Sequence, residues 1–357
     1  MLATIPQDTN KAPDVTIGLP VYNGESYLRQ ALDSLLAQDY PDFKLIISDN
    51  ASTDSTSAIC QEYAAKDRRI EYHRNERNIG ALENFKQVFR MSDSKYFMWA
   101  AHDDLWRPSY IRKCVEALEQ NPDAVLAYSD ILFIDENGEP LDMPYSFGAG
   151  GCGLAGRVAA MAASKGRHIG WYEIYGVIRS DALRQTSLPR NVFGPDVVLM
   201  MELCLLGSFL RVPERLFLYR MVRKTPKEQL DQLAPENADK PLSLPYSGLC
   251  GNLLNVIWAS KLSFLTKFSL HGVFIGALCL RNPRWVKKIQ LEKTSLLAES
   301  LKMGNIKGGA KNLLLILVCT LARLSGKTWL ALESGGRYVN RFFTGGKNRP
   351  QRMSTGY

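Results

Sequence analysis

The sequence lacks the cysteine and histidine patterns of a metal-bound or disulfide-bonded protein. Its seven cysteines include no CxxC pair, and its four histidines are dispersed along the chain. Disulfide frameworks and zinc sites normally show paired or closely spaced ligands. We therefore interpret the cysteines as small core residues of a protein in a reducing compartment.

Two kinds of apolar segment are also missing. The N-terminal residues MLATIPQDTNKAPD lack the basic-then-apolar pattern of a secretory signal. Uninterrupted apolar runs near the C-terminus reach only about ten to twelve residues, whereas a helix that spans a bilayer needs ~20. These absences favour a cytoplasmic protein over a secreted or membrane-spanning one.

Acidic residues are scarce in the last third of the chain. From residue 251 onward, 17 Lys and Arg stand against 3 Asp and Glu, a net charge of +14, while the first 250 residues carry −6. With 46% hydrophobic and 22% charged residues overall, the composition is typical of a globular protein. The charge pattern predicts an acidic domain followed by a basic extension that meets a different partner.

Strand-like and helix-like segments alternate from residue 15 onward. Predicted strands cover 15–22, 43–49, 69–74, 95–100, 124–135, 171–178 and 209–219, and predicted helices cover 24–38, 52–66, 79–91, 108–120, 156–164 and 195–206. This alternation predicts an α/β fold with a parallel sheet and helices on both faces. Ligands of such sheets bind beyond the carboxyl ends of the strands.

Two adjacent carboxylates, Asp103 and Asp104, end the apolar segment KYFMWAAHDDLW at 95–106. Delivering two acids to the end of a buried strand is costly unless a cation meets them there. A divalent metal with phosphate is one explanation. Capping of the helix that follows Pro108 is the other, and it accounts for one of the acids.

Four segments in order, GLPVYNGESYL, ISDNASTD, RNIGALENF and AHDDLW, resemble family 2 of the nucleotide-sugar glycosyltransferases. The resemblance is strong over 14–140 and weaker over 141–222. It implies the GT-A fold, a Rossmann-like, mostly parallel sheet flanked by helices, plus a basic, mainly helical C-terminal extension. We expect a flexible lead-in at 1–13, the glycosyltransferase domain at 14–228 and the extension at 229–357.

The resemblance also implies a donor site. Its substrate-binding residues are Pro20, Tyr22, Asn23, Glu25, Asp49, Arg77, Asn84, Asp103, Trp171 and Arg220. Tyr22 would stack on the base, and Asp49 would accept an N–H of uracil or guanine. The alternatives to substrate binding are an ordinary turn at Asn23–Gly24 and a helix-capping role for Asp49.

The acids of AHDDLW match the family's metal site, although Ala101 and His102 depart from its usual pattern. The resemblance assigns Mn²⁺ or Mg²⁺ to Asp104, and ribose or the donor sugar to Asp103. A cation that bridges carboxylate and diphosphate neutralises the leaving nucleotide.

The resemblance also implies a catalytic carboxylate near the start of the predicted helix 195–206. Asp196 would serve as the general base that deprotonates an acceptor hydroxyl in an inverting reaction, with Glu202 in reserve. The alternative for Asp196 is a helix cap. Trp171 and Tyr172 would stack on an acceptor sugar, but aromatic residues in a strand are more often core, so we expect one of them to be buried.

The expected activity is sugar transfer from a nucleoside-diphosphate sugar, with UDP favoured, to a hydroxyl of a glycan or lipid-linked glycan in cell-surface polysaccharide synthesis. A polyprenyl-phosphate acceptor and a non-catalytic nucleotide-sugar-binding scaffold are the alternatives. The apolar segments 261–281 and 311–327, broken by Lys and Arg, indicate amphipathic helices on the cytoplasmic face of an anionic membrane. A re-entrant hairpin or a helical subdomain is the other reading, and no nucleic-acid-binding module is visible.

Overall fold

One sheet organises the N-terminal part of the chain. The computed structural model describes residues 13–143, 145, 149–150, 152–162, 172–192, 194–222 and 245–302. The strands are Val15–Val21 (β1), Phe43–Asp49 (β2), Ile70–Arg74 (β3), Tyr96–Trp99 (β4), Leu105–Trp106 (β5), Ala124–Ile134 (β6), Val177–Arg179 (β7) and Ser208–Arg220 (β8). Their order in the sheet is β3-β2-β1-β4-β7-β6-β8-β5.

Helices follow most of these strands. They are Leu28–Leu36 (α1), Thr56–Lys66 (α2), Ala81–Arg90 (α3), Tyr110–Gln120 (α4), Leu154–Ala162 (α5), Ser180–Arg184 (α6), Pro195–Leu206 (α7), Pro245–Ala259 (α8), Phe264–Arg281 (α9) and Pro283–Lys302 (α10), with a short 3₁₀ helix at Tyr172–Tyr175. The strands and helices predicted for the first 134 residues are confirmed, with shifts at their ends.

The first half of the sheet is parallel. β1 pairs in parallel with both β2 and β4, and β2 pairs in parallel with β3. All seven residues of β1 are buried, because helices cover both of its faces, and such a strand reads as a continuous apolar run. The carboxyl ends of β1, β2 and β4 therefore meet at one edge, as the GT-A fold requires.

The second half of the sheet is mixed. β7 lies between β4 and β6 and runs antiparallel to both, and β5 is antiparallel to β8. The strand predicted over 171–178 is wrong in its bounds, because 172–175 form a 3₁₀ turn and the strand itself has only three residues. A central strand this short is stabilised by its two neighbours. It has too few residues to show the alternation of side chains that identifies a strand in a sequence.

The chain divides into two compact units, one ending at Phe274 and the other beginning at Ile275. In the first unit α8 packs against α7, and it buries Leu249, Leu253 and Ile257. Among the described helices, α9 alone is long and apolar enough to cross a membrane by length and composition. The expected apolar segment at 311–327 lies outside the described residues.

Candidate active site

A cleft of about 170 Å³ opens at the carboxyl ends of β1, β2 and β4. The residues that line it are Pro20, Val21, Tyr22, Asn50, Asn78, Ala81, Asn84, Phe85, Ala101, His102, Asp103 and Tyr175. Four of these, Pro20, Tyr22, Asn84 and Asp103, are residues that the sequence predicts to bind substrate. The sequence analysis did not single out Asn50 and Asn78, although both stand in the motifs that carry the family resemblance.

Asn23 and Glu25 tie the loop after β1 to the loop after β2. The Asn23 side chain accepts a hydrogen bond from the Thr53 N–H at 2.9 Å, and Glu25 accepts one from the Ser55 N–H at 2.9 Å. Between them, Gly24 leaves no room for a side chain, since an added Cβ would lie 2.8 Å from the His102 ring. In this arrangement both polar side chains shape the rim of the cleft, and their contact with a substrate stays a prediction.

Asp49 is fully buried at the end of β2. One carboxylate oxygen accepts the Ser52 N–H at 2.8 Å, and the other accepts the Tyr72 hydroxyl at 2.9 Å and lies 3.3 Å from Arg74. Burial and the hydrogen bond to Asp49 contribute to raising the pKa of Tyr72 to about 12. Asp49 holds the loop after β2 in place, and because it is fully buried, contact with a base would require this loop to move.

A network of amides supports the cleft wall beside Asp49. Asn50 donates to the Asn78 side chain at 2.7 Å, and its own oxygen accepts from Asn75 at 3.1 Å. Asn84 is 2% exposed; its oxygen accepts from the Ser48 hydroxyl at 2.6 Å and its nitrogen donates to the Ser48 carbonyl at 2.9 Å. Since buried amides are costly when unpaired, this network fixes the positions of Asn50 and Asn78 on the cleft wall.

The two acids after β4 occupy different environments. Asp103 lines the cleft, whereas Asp104 is 1% exposed and accepts the backbone N–H of Arg220 at 2.8 Å. The Arg220 guanidinium is also buried: it donates to the Asp103 carbonyl at 2.9 Å and to the Gln30 side chain at 2.8 Å. It lies over the Tyr27 ring at 4.5 Å. These bonds favour a role for Arg220 in positioning the Asp103–Asp104 segment over contact with a diphosphate.

Asp196 lies in the first turn of α7, after Gly194 and Pro195. Burial, followed by the negative charges of Asp104, Asp103 and Asp196, raises the pKa of Tyr219 well above its ordinary value. The same three charges act on Tyr175, which lines the cleft. The charges of three carboxylates from two distant segments therefore act on these tyrosines, and of the three only Asp103 lines the cleft.

The remaining predicted residues lie in varied surroundings. Glu202, the reserve base, binds the Ser187 N–H at 2.8 Å and Arg190 at 2.7 Å, which anchors it to the loop before α7. Tyr172 is buried against Tyr219, with ring centroids 4.5 Å apart. Arg77 is exposed, and Trp171 lies outside the described residues.

The acids of the site fit a divalent cation that is shared with a substrate. Within the described residues, no group of three or more His, Cys, Asp or Glu side chains is arranged to hold a metal. Mg²⁺ and similar ions are commonly held by one or two carboxylates together with substrate phosphates and water. Asp103 lines the cleft and can supply one such carboxylate, whereas the adjacent Asp104 is buried and accepts the Arg220 N–H.

Sequence comparison finds relatives for the first half of the chain. Residues 16–172 match the model of glycosyl transferase family 2. The chain is 30% identical over 134 residues to the putative teichuronic acid biosynthesis glycosyltransferase TuaG of Bacillus subtilis, which covers 38% of this chain and 53% of that protein. It is 34% identical over 131 residues to an uncharacterized glycosyltransferase of Methanocaldococcus jannaschii, covering 36% and 45% of the two chains. The matches thus span about half the length of these relatives, or less.

Structure comparison finds the same fold over most of the chain. S. aureus TarS 1–349 in complex with UDP-GlcNAc matches with a TM-score of 0.58 at 15% identity, covering 84% of this chain and 90% of that one. The mannosyltransferase PcManGT of Pyrobaculum calidifontis, in complex with GDP-Man and Mn²⁺, matches with a TM-score of 0.51 at 14% identity, covering 88% of both chains. The fold is therefore GT-A, and residues 16–172 of the chain are similar to glycosyl transferase family 2.

Proposed function

We propose that the protein is an inverting glycosyltransferase that takes its sugar from a nucleoside diphosphate. The observation that supports this proposal is that Asp103 lines the cleft at the ends of β1, β2 and β4, where the charges of Asp103, Asp104 and Asp196 all act on Tyr175, another lining residue. These carboxylates serve separate tasks, which include holding the cation of a diphosphate and taking a proton from an acceptor.

The cleft binds the nucleotide in this proposal. Tyr22 and Phe85 offer aromatic surface to a base, and Asn50 and Asn78 line the same cleft with amide groups. Asp104 would hold Mn²⁺ or Mg²⁺, which when bound neutralises the charge of the departing diphosphate, and Asp103 would contact the ribose or the donor sugar. We favour UDP as the nucleotide, as the resemblance to the family implies.

Asp196 acts as the general base. It accepts the proton of an acceptor hydroxyl as that oxygen attacks the anomeric carbon, and the bond from that carbon to the diphosphate oxygen breaks. The N-terminus of α7 favours the ionised carboxylate before the proton arrives. Attack from the face opposite the diphosphate inverts the anomeric configuration.

The acceptor we propose is a glycan or lipid-linked glycan of a cell-surface polysaccharide. The resemblance to a teichuronic acid glycosyltransferase supports this class of product. The basic C-terminal part of the chain supports a location on the cytoplasmic face of an anionic membrane, where such acceptors are assembled.

The first test is calorimetric titration of the purified protein with UDP, GDP, dTDP and their sugars, with and without Mn²⁺. We expect one nucleotide to bind, and its affinity to fall at least tenfold when Mn²⁺ is omitted. Asp104→Asn should abolish the metal dependence, and Asp103→Asn should weaken binding of the donor. Asp196→Asn should bind the donor as the wild type does and lose about 10²–10⁴-fold in transfer, the range that general bases contribute.

Two outcomes would overturn parts of this proposal. Full activity of Asp196→Asn on a polyprenyl phosphate would show that the acceptor arrives as an anion and needs no base. Donor binding without transfer to any glycan or lipid acceptor would show a nucleotide-sugar-binding scaffold. Asn121→Ala, a change at an exposed polar residue that does not line the cleft, is the control for non-specific effects.

A further inference from the structure

The turn between α8 and α9 presents large apolar side chains to solvent. Leu265 is 78% exposed, Phe264 is 69% exposed and Phe268 is 66% exposed, and Trp258 stands beside them at the end of α8. We call these four residues the apolar corner. Single exposed apolar residues are ordinary on protein surfaces, but a cluster of three within five positions marks a contact surface.

The corner is held in one shape by the helices that meet there. The Trp258 ring packs on Phe264 with centroids 5.8 Å apart, and its indole N–H donates to His271 at 3.0 Å. The Ser263 hydroxyl accepts the Thr266 N–H at 3.2 Å, as a residue capping the start of α9 does. The apolar side chains are thus presented by a braced turn.

Opposite faces of α9 have opposite surroundings. Leu270 and Phe274 are buried, whereas Phe264, Leu265 and Phe268 are exposed. These three residues lie on one side of the helix because they are one turn or less apart. The first turns of α9 therefore already have a protein-facing side, and the corner is a second apolar side that the described residues leave open to solvent.

The charge around the corner selects the kind of partner. Lys261 lies in the turn and Lys267 in the second turn of α9, and residues 240–291 contain no Asp or Glu. Aromatic and aliphatic side chains flanked only by lysines match an anionic lipid surface, where rings enter the interface and ammonium groups meet phosphates. A protein surface of mixed charge offers no such match.

We propose that the apolar corner inserts into the headgroup region of an anionic membrane and anchors the enzyme there as a peripheral protein. This inference rests on the membrane location proposed above and names the surface that makes the contact. Phe264, Leu265 and Phe268 enter the acyl boundary, Trp258 lies at headgroup level, and Lys261 and Lys267 contact lipid phosphates.

The test is the binding of the full chain to vesicles of phosphatidylcholine with and without phosphatidylglycerol, followed by cosedimentation and by quenching of tryptophan with brominated lipid. We expect at least tenfold stronger binding to the anionic vesicles. The triple variant Phe264→Gln, Leu265→Gln, Phe268→Gln should weaken that binding at least tenfold. Lys261→Glu with Lys267→Glu should remove the preference for anionic lipid, and Trp258→Phe should remove most of the quenching.

The control is Leu206→Gln with Leu291→Gln, which removes exposed apolar side chains elsewhere and should bind vesicles as the wild type does. Wild-type binding by the triple variant, or no binding by the wild type, would overturn the inference. A dimer that forms without lipid and is lost in the triple variant would overturn it too, in favour of a second copy on the corner. Vesicle binding needs no sugar donor, so a failure to bind vesicles can be distinguished from a failure to transfer sugar.

Discussion

At the residue scale, Glu173 is the acid that the sequence analysis did not single out. Its carboxyl group is 2% exposed and accepts a hydrogen bond from the Tyr145 hydroxyl at 2.9 Å. Burial raises the pKa of Glu173 from 4.5 to about 8, so this acid is protonated at neutral pH. The segment WYEIYG around it is aromatic and apolar, and nothing in its pattern distinguishes a buried acid from one on the open side of a strand.

The pKa of Glu173 predicts a pH dependence of stability. Between about pH 4.5 and about pH 8 the folded protein keeps a proton that the unfolded chain has lost, so stability falls as pH rises, by up to ~1.4 kcal/mol per pH unit. Glu173→Gln should lose stability less steeply across this range, as measured by denaturant unfolding at several pH values. Glu116→Gln, an exposed control, should follow the wild type; parallel curves for all three proteins would mean that Glu173 is ionised when folded.

At the element scale, the parallel half of the sheet could be predicted from the sequence because its signals are local. β1, β2 and β4 are apolar runs closed by turn residues. α1 and α4 show a regular apolar period, and α2 is indicated by the helix start signal at 52–54. β5 was not predicted, and the bounds predicted for β7 were wrong, because two or three residues show no period. The hydrogen bonds that hold the Arg220 side chain could not be predicted from the sequence, since one partner, Gln30, is 190 positions away.

The amide network beside β2 carries a prediction for the loop that forms the cleft wall. Asn84→Ala removes both hydrogen bonds to Ser48 and leaves buried polar atoms unpaired, at a cost of ~1–3 kcal/mol in the free energy of unfolding. The wall that holds Asn50 and Asn78 should then loosen, and donor affinity should fall. Denaturant unfolding and calorimetry measure the two effects.

Asn121→Ala is the matched control for Asn84→Ala, because Asn121 makes a single exposed bond to the Ala117 carbonyl. It should change stability by less than ~0.5 kcal/mol and leave donor binding unchanged. Loss of stability without loss of donor affinity in Asn84→Ala would mean that the network supports the sheet and not the cleft.

At the scale of the whole molecule, the extent of the catalytic unit matters most. We predict from the sequence that the glycosyltransferase domain ends at 228, yet α8 at Pro245–Ala259 packs against α7, the helix that carries Asp196. Leu249 of α8 reaches the start of α7, where its side chain lies 3.1 Å from the position that a Cβ on Gly194 would take. The apolar surface of α7, with seven buried residues, is shared between the domain and this later helix.

These contacts predict that α8 is needed for the proposed base to work. A chain that ends at 228 should unfold at lower temperature than one that ends at 262, because α7 loses the packing of Leu249, Leu253 and Ile257, each worth ~1.5–3 kcal/mol when fully buried. In the shorter chain Asp196 loses its support, so transfer should fall more than donor binding, which depends on the strand ends. Thermal unfolding, calorimetry and a transfer assay on both chains separate these effects. Equal melting temperatures and equal transfer rates would place the end of the catalytic unit at 228 and leave α8 to the extension.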